Sequence, residues 1–234
     1  MNCLGDGMES ALLSVSDGIA VRIPGLVIIA GILEVHTPRT ESVARYLGDS
    51  WDKLSKAVLQ QGVKTHPHIE KWRAALRHAG VPLKKCPPSI EAIAKRTTKS
   101  DSPFFINPIV DAYNAISMDL VLPFGAFDLD QIDGSLTLRV CENAEPFTPL
   151  GGGPPEETVT GEIVYADDAN ILTRHFLWRQ AEKGKITGAS KQCIFVCELL
   201  NAMGEDIVQC AKALIEEKFR TVLGGTVRGV VILR

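Results

Sequence analysis

The spacing of apolar residues changes period several times along the chain, and each change marks an element. Residues 18–36 read as two extended pieces broken at Pro24-Gly25, the second being LVIIAGILEV, a continuous apolar run suited to a buried strand. From residue 40 to about 96 the period is helical: Val43, Leu47 and Trp51 fall at i, i+4 and i+8, and Trp72, Leu76 and Ala79 precede the stop signals Gly80 and Pro82. This predicts a helical insert of two or three segments. A further helix opens with Asn107 suited to the N-cap and Pro108 to the first turn, and carries the stripe Ile109, Val110, Tyr113 and Ile116. Asp111 and Asn114, three apart, are neighbours on another face of that helix. Over residues 122–140 the period drops to two, with Asp133-Gly134 between a strand ending near Leu129 and SLTLRV, which predicts a hairpin. GGGPPEE (151–157) is a loop by composition. Strands GEIVYAD, NILTR and KQCIFVCEL, a helix over 205–223 and a last strand over 227–233 complete a mixed α/β pattern without an internal repeat. One domain over 17–234 is expected, including the helical part 40–100, with residues 1–16 as a flexible tail.

Composition narrows the class. The chain has 234 residues, 45% hydrophobic and 23% charged, which excludes disordered and collagen-like classes and permits a sizeable core. The most apolar stretch, residues 25–33, is half the roughly 18 to 20 residues that a membrane-spanning helix needs, so no membrane partner is expected. The first ten residues carry Asp6 and Glu9 and no Lys or Arg, which points to a cytoplasmic location. Six cysteines without paired spacing read as reduced thiols, and Cys193 and Cys197 as core residues of one apolar strand. Acids exceed bases by 28 − 25 = 3, so the surface as a whole does not suit a phosphate backbone, and DNA is not an expected partner. The exception is residues 64–99, where Lys64, Lys71, Arg73, Arg77, Lys84, Lys85, Lys95, Arg96 and Lys99 face only Glu70 and Glu91. Two readings stand for this segment, a local nucleic-acid contact and a helix with a charged outer face.

Most motif-like features reduce to local structure. Gly151, Gly152 and Gly153 are followed by Pro154-Pro155 rather than GK[ST], so they form no phosphate loop. Asp128, Asp130 and Asp133 are misplaced for a calcium loop and suit turns. His66 and His68 lack a third ligand at metal spacing. No GxSxG elbow, cysteine-nucleophile signature or HExxH helix is present, so neither metal nor cofactor is expected and catalysis would rest on positioning and hydrogen bonds. In TRHFLWRQ, two guanidiniums and an indole could hold an adenosine end through phosphate contacts and stacking; they could equally be packing residues of a surface strand.

The stretch SPFFINPIVDAYNAISMDLVLPFGAFDLDQIDGSLTLRV, with GEIVYADDANILTRHFLWRQ and ITGASKQCIFVCE after it, resembles the B3/B4 domain of the phenylalanyl-tRNA synthetase beta subunit. It is more similar still to freestanding B3/B4 proteins. The resemblance covers residues 102–200 and, more loosely, the helical part before them. It implies a mixed α/β fold, with a B3/B4-type sheet flanked by helices. It also implies a pocket that, in the synthetase, hydrolyses tyrosine wrongly esterified to tRNA. By position, the helix Asn of that pattern is Asn114, and the Glu lining its amino-acid pocket is Glu198. Tyr113 stands where the synthetase usually has Thr, and Gly125, in LPFGAFD, where it has His.

The function implied is a tRNA-binding deacylase acting in trans on a mischarged aminoacyl-tRNA. Asn114 and Glu198 would be its catalytic residues, and Tyr113, Phe124, Gly125, Arg174, Trp178 and Arg179 its substrate-binding residues. The last three fit the R-x-x-x-W-R pattern of the freestanding proteins. Lys71, Arg73, Arg77, Lys84 and Lys85 would meet the tRNA backbone. Aminoacyl esters are activated by the vicinal ribose hydroxyl, so a positioned water and oxyanion donors suffice without histidine. His175, on a strand, would face away from its neighbours and is not expected to be the base. The alternative is a noncatalytic module holding an RNA end or an amino-acid-like ligand, which Gly125 favours. A third possibility is a hydrolase of another small ester or amide.

Overall fold

The computed structural model describes residues 13–234. The chain opens with β1 (Leu13–Val15), so part of the expected tail is a strand, while residues 1–12 lie outside the described residues. Next comes α1 (Gly18–Arg22), where an extended piece was predicted. The helix forms because Ile19 and Ile23 lie four apart and are both fully buried, a helical spacing too short to register as a period. The strand expected after Pro24-Gly25 is β2 (Leu26–Glu34).

The predicted helical insert consists of α2 (Thr40–Gln61), α3 (Pro67–His78) and α4 (Ser89–Thr97). In α2 the residues Leu47, Trp51, Leu54 and Val58 follow the seam i, i+4, i+7, i+11 and form a second small core with Ile69, Ile90, Ala115 and Met118. His66 and His68 are structural: the His66 ring accepts from the His68 N–H at the start of α3, and His68 Nδ1 lies 3.0 Å from the Leu120 carbonyl. Helix α5 (Pro108–Leu120) begins as its sequence predicts, with the Asn107 side chain accepting from the Val110 N–H at 3.0 Å.

After α5 come β3 (Phe124–Asp128), β4 (Leu136–Val140), β5 (Pro146–Phe147), β6 (Glu156–Glu157), β7 (Ile163–Ala166), β8 (Thr173–Arg174), β9 (Arg179–Gln180) and β10 (Gln192–Leu200). Helix α6 (Glu205–Lys218), a π-turn over Phe219–Leu223 and β11 (Thr226–Leu233) close the chain. The larger sheet is antiparallel with order β11-β2-β10-β3, and the smaller, order β1-β4-β7, joins a parallel pair to an antiparallel one. The hairpin expected over 122–140 is therefore absent, because β3 and β4 belong to different sheets. Asp128 accepts from the Asp130 N–H and opens a 3-10 turn over Leu129–Gln131 that diverts the chain between the sheets. Asp128 and Asp130 thus act in turn chemistry, and no group of three metal-ligating side chains occurs among the described residues.

Strand alternation on β10 decides which side chains meet which layer. Phe195 points toward the helical side, with its ring 5.4 Å from that of Phe219, and Gly31 opposite it leaves no room for a β-carbon, which would lie 2.8 Å from the Phe195 ring. Val196 and Glu198 point to the opposite face. No helix among the described residues is long and apolar enough to cross a membrane.

Candidate active site

The face of the large sheet that carries Val196 and Glu198 is incompletely covered. Between it, α4, α5 and the β8–β9 hairpin lies a cavity of about 290 Å³. Gly125 pairs with Val196 and Phe127 with Ile194, so both project from β3 onto this face. Tyr113 and Asn114 enter from α5, and Tyr113 stacks on Phe124 with ring centroids 5.8 Å apart. Trp178 and Arg179 come from the hairpin. Of the eight residues expected to be catalytic or substrate-binding, the structure therefore brings seven to one cavity.

Arg174 is the eighth, and it does not line the cavity. Its guanidinium grips Glu162 through two bonds, Nε to Oε1 at 2.6 Å and Nη2 to Oε2 at 2.9 Å, and donates Nη1 to Glu156 at 3.1 Å. Glu162 is fully buried, which alone would raise its pKa, but the bonds from Arg174 and from the His175 N–H hold it below the usual carboxylate value. The same carboxylate clamps a strained turn: His175 and Phe176 both have left-handed backbones, at φ 48 and 63. The segment predicted as a straight strand is thus a hairpin, and Arg174 positions Trp178 and Arg179 through Glu162. His175, its pKa lowered by burial, has its ring 5.7 Å from the Trp178 ring.

Glu198 is 2% exposed, and the one side chain that hydrogen-bonds it among the described residues is Tyr165, whose hydroxyl donates to Oε1 at 3.0 Å. No cation among the described residues is paired with it. Burial therefore pushes its carboxyl up to about 8, so it is mostly protonated at neutral pH. Asn114, partly exposed, makes no side-chain hydrogen bond among the described residues and can serve a ligand.

The cations expected to meet the tRNA backbone divide into two groups. Arg73 is committed to fully buried Glu91 at 2.6 Å, and Lys71 donates to the Ala202 carbonyl at 2.9 Å. Arg77, Lys84 and Lys85 are exposed and form no ion pair among the described residues. The electrostatic surface is thus smaller than the sequence count implies.

A family model described as B3/4 domain matches residues 71–214, more than half of the chain. The chain belongs to the B3/4 domain family. Its curated relatives include phenylalanine--tRNA ligase beta subunits. That of Pectobacterium atrosepticum is 29% identical over 42% of this chain and 12% of its own length. That of Fusobacterium nucleatum is 40% identical over 29% and 8%, and that of Dickeya dadantii 22% identical over 86% and 22%. The chain thus spans less than a quarter of these relatives. Among solved structures it is similar to an N-terminal fragment of the phenylalanyl-tRNA synthetase beta-subunit from Pyrococcus horikoshii. There the TM-score is 0.49 at 13% identity, over 95% of this chain and 54% of that one.

Three residues of the B3/4 cavity were not singled out from sequence. Tyr165 lies in GEIVYAD, a segment marked from sequence only as a strand. Arg96, exposed at the end of α4 and without an ion pair among the described residues, was one of nine cations in a run. Gln180 donates its side-chain amide to the Ala126 carbonyl at 3.2 Å, which ties the hairpin to β3 across the B3/4 cavity. A second cavity adjoins the first, sharing Tyr113, Asn114, Leu150 and Gln180 with it. The triple-glycine loop contributes Gly151 and Gly152 there, beside exposed Phe104 and Ile106.

Proposed function

We propose that this B3/4 protein is an aminoacyl-tRNA deacylase acting in trans, which hydrolyses the ester of a mischarged tRNA. The observation that carries the reading is the convergence of Asn114 and Glu198, far apart in sequence, on one aromatic-walled cavity with cations at its mouth. The relatives are tRNA ligase subunits by name, which supports an RNA substrate.

In this reading the aminoacyl group enters between Phe127, Phe176 and Val196, toward Glu198, and the ester lies near Asn114. The Asn114 amide orients the attacking water and donates to the oxygen that gains charge in the tetrahedral intermediate. Water adds to the ester carbon, the bond to the ribose oxygen breaks, and that oxygen takes the proton; the products are the free amino acid and the tRNA with its terminal hydroxyl restored. Glu198 contacts the aminoacyl group and, being mostly protonated at neutral pH, is not the resting base. Trp178 stacks, Arg179 and Arg96 meet phosphate, and Arg77, Lys84 and Lys85 meet the tRNA backbone.

A panel of correctly and wrongly charged tRNAs incubated with the protein, Asn114→Ala and Glu198→Ala tests this. Selective hydrolysis that both variants lose is expected. If Glu198→Ala deacylates every member as the wild type does, the site is wrongly assigned. A second reading, a noncatalytic module for an RNA end or an amino-acid-like ligand, is favoured by one observation: Gly125 offers no imidazole, and Glu198, the one carboxyl among the described residues lining the cavity, is mostly protonated at neutral pH. Retained RNA binding with no turnover would support it.

A further inference from the structure

The second cavity, of about 770 Å³, shares Tyr113, Asn114, Leu150 and Gln180 with the first. Part of its lining comes from the segment before α5, where Phe104, Phe105 and Ile106 are three consecutive large apolar residues left exposed, Phe104 by 83%. Such a run does nothing for folding and marks a surface that meets a ligand or partner. The segment is anchored where it joins the helix: the Ile106 N–H donates to Asp111 Oδ1 at 3.0 Å, and Asn107 caps α5 directly after it. Another part of the lining is the triple-glycine loop, tied down by the Leu150 N–H on the Gln180 carbonyl and the Gly151 N–H on Glu182, both at 3.1 Å. Gly151 and Gly152 have left-handed backbones, at φ 88 and 74, and a β-carbon on either would meet nothing within 4 Å. Bare backbone therefore borders open space there.

Charge distinguishes the two cavities. Arg96 and Arg179 line the first. The charged side chains lining the second, among the described residues, are Lys185 and Glu182, and they pair with each other. A phosphate thus finds its cations in the first cavity, while the second offers apolar side chains, an exposed phenyl ring and bare backbone to a neutral, flat group. A nucleobase is such a group, and its stacking on an aromatic ring tolerates any base because every base has a π-face. Asn114 lines both cavities, so an ester held there has its ribose at their junction.

We infer that the second cavity is the seat of the unpaired base of the esterified nucleotide, with Phe104 as its stacking platform. This rests on the aminoacyl-ester reading above. The aminoacyl group then enters the first cavity, the base of the same nucleotide turns into the second, and the phosphate on its 5′ side passes Arg96 and Arg179. Trp178 is left to stack on the nucleotide before it. Phe104 binds and orients the RNA end; it has no role in bond breaking.

Two uncharged RNA hairpins with the same single-stranded 3′ end test it, one intact and one whose terminal nucleotide keeps its ribose but lacks its base, each titrated with the protein and followed by fluorescence anisotropy. The wild type is expected to bind the intact RNA about tenfold more tightly, the worth of one stacked base. Phe104→Ala, a truncation at an exposed position, is expected to keep the Tm and to bind both RNAs equally, at the affinity of the abasic one, whereas Phe104→Trp keeps the gap. No gap in the wild type, an undiminished gap in Phe104→Ala, or no binding of either RNA would overturn the inference. A change of oligomeric state in Phe104→Ala, read by sedimentation, would overturn it too, since the patch would then be a protein contact. Neither RNA carries an ester, so the two readings fail separately: if the gap behaves as stated while no charged tRNA is hydrolysed, the deacylase reading fails and the seat for the base stands, and if mischarged tRNA is hydrolysed without the gap, the reverse holds.

Discussion

Replacing Glu198 by Gln should change how the stability of this protein depends on pH, with a sign set by the cavity. In the folded protein the carboxyl is surrounded by Phe127, Phe176, Val196 and Tyr165, and it ionises at about 8 against an ordinary 4.5. The unfolded chain therefore releases this proton first. Stability contributed by the neutral carboxyl is fully present below pH 4.5, declines as pH rises, and is gone once the folded carboxyl has ionised above about 8. At about 1.4 kcal/mol per pH unit, the loss between pH 5 and pH 9 is on the order of 4 kcal/mol. Gln has nearly the same shape, cannot ionise and keeps an acceptor for Tyr165, so Glu198→Gln should lack this slope. Urea unfolding at pH 5, 7 and 9 measures it: the two proteins should be alike at pH 5 and diverge steadily, with the variant the more stable at pH 9. Parallel pH dependences would refute the argument, since they would mean that Glu198 ionises folded much as it does unfolded and that the cavity floor is wet.

Other side chains separate stability from binding. Arg174→Met leaves the fully buried Glu162 without its bidentate partner and should cost on the order of 3–5 kcal/mol in urea unfolding, with disorder of the turn carrying Trp178; an unchanged midpoint would remove Arg174 from its positioning role. Arg179→Ala, whose partner Glu156 is one-third exposed, should cost under about 1 kcal/mol yet weaken RNA binding. Lys84→Glu combined with Lys85→Glu should leave the Tm unchanged and flatten the salt dependence of RNA binding, whereas Arg73→Ala should lower the Tm through Glu91. Gly125→Ala should fold normally, because the added carbon meets nothing nearer than Val196 Cγ2 at 3.8 Å, so any loss of ligand binding in that variant reports a narrowed cavity.

Elements that bury a long, regular stripe were legible from the chain alone. The run that forms β2, the Leu47–Trp51 seam of α2 and the Asn107-Pro108 start of α5 each carry their own signal, because periodic burial and capping are local physics. The five-residue helix α1 was not legible, since two isoleucines make no period, and the hairpin expected over 122–140 failed because strand pairing is decided by partners distant in sequence. The same division holds for the site. Asn114, Glu198, Trp178 and Arg179 could be named by their motifs, but charge partners could not: Arg174 and Arg73 read as ligand-binding cations until folding placed buried carboxylates against them.

What the sequence by itself determined is which residues are polar enough to be worth a site and which segments must bury a face. Only the tertiary structure decided whose partner each polar group has. Tyr165 and Glu198 are 33 residues apart and meet across two sheets. A hydrogen bond between distant strands leaves no trace in either segment's composition, yet in a medium without water it sets whether a carboxyl is charged and what it can hold.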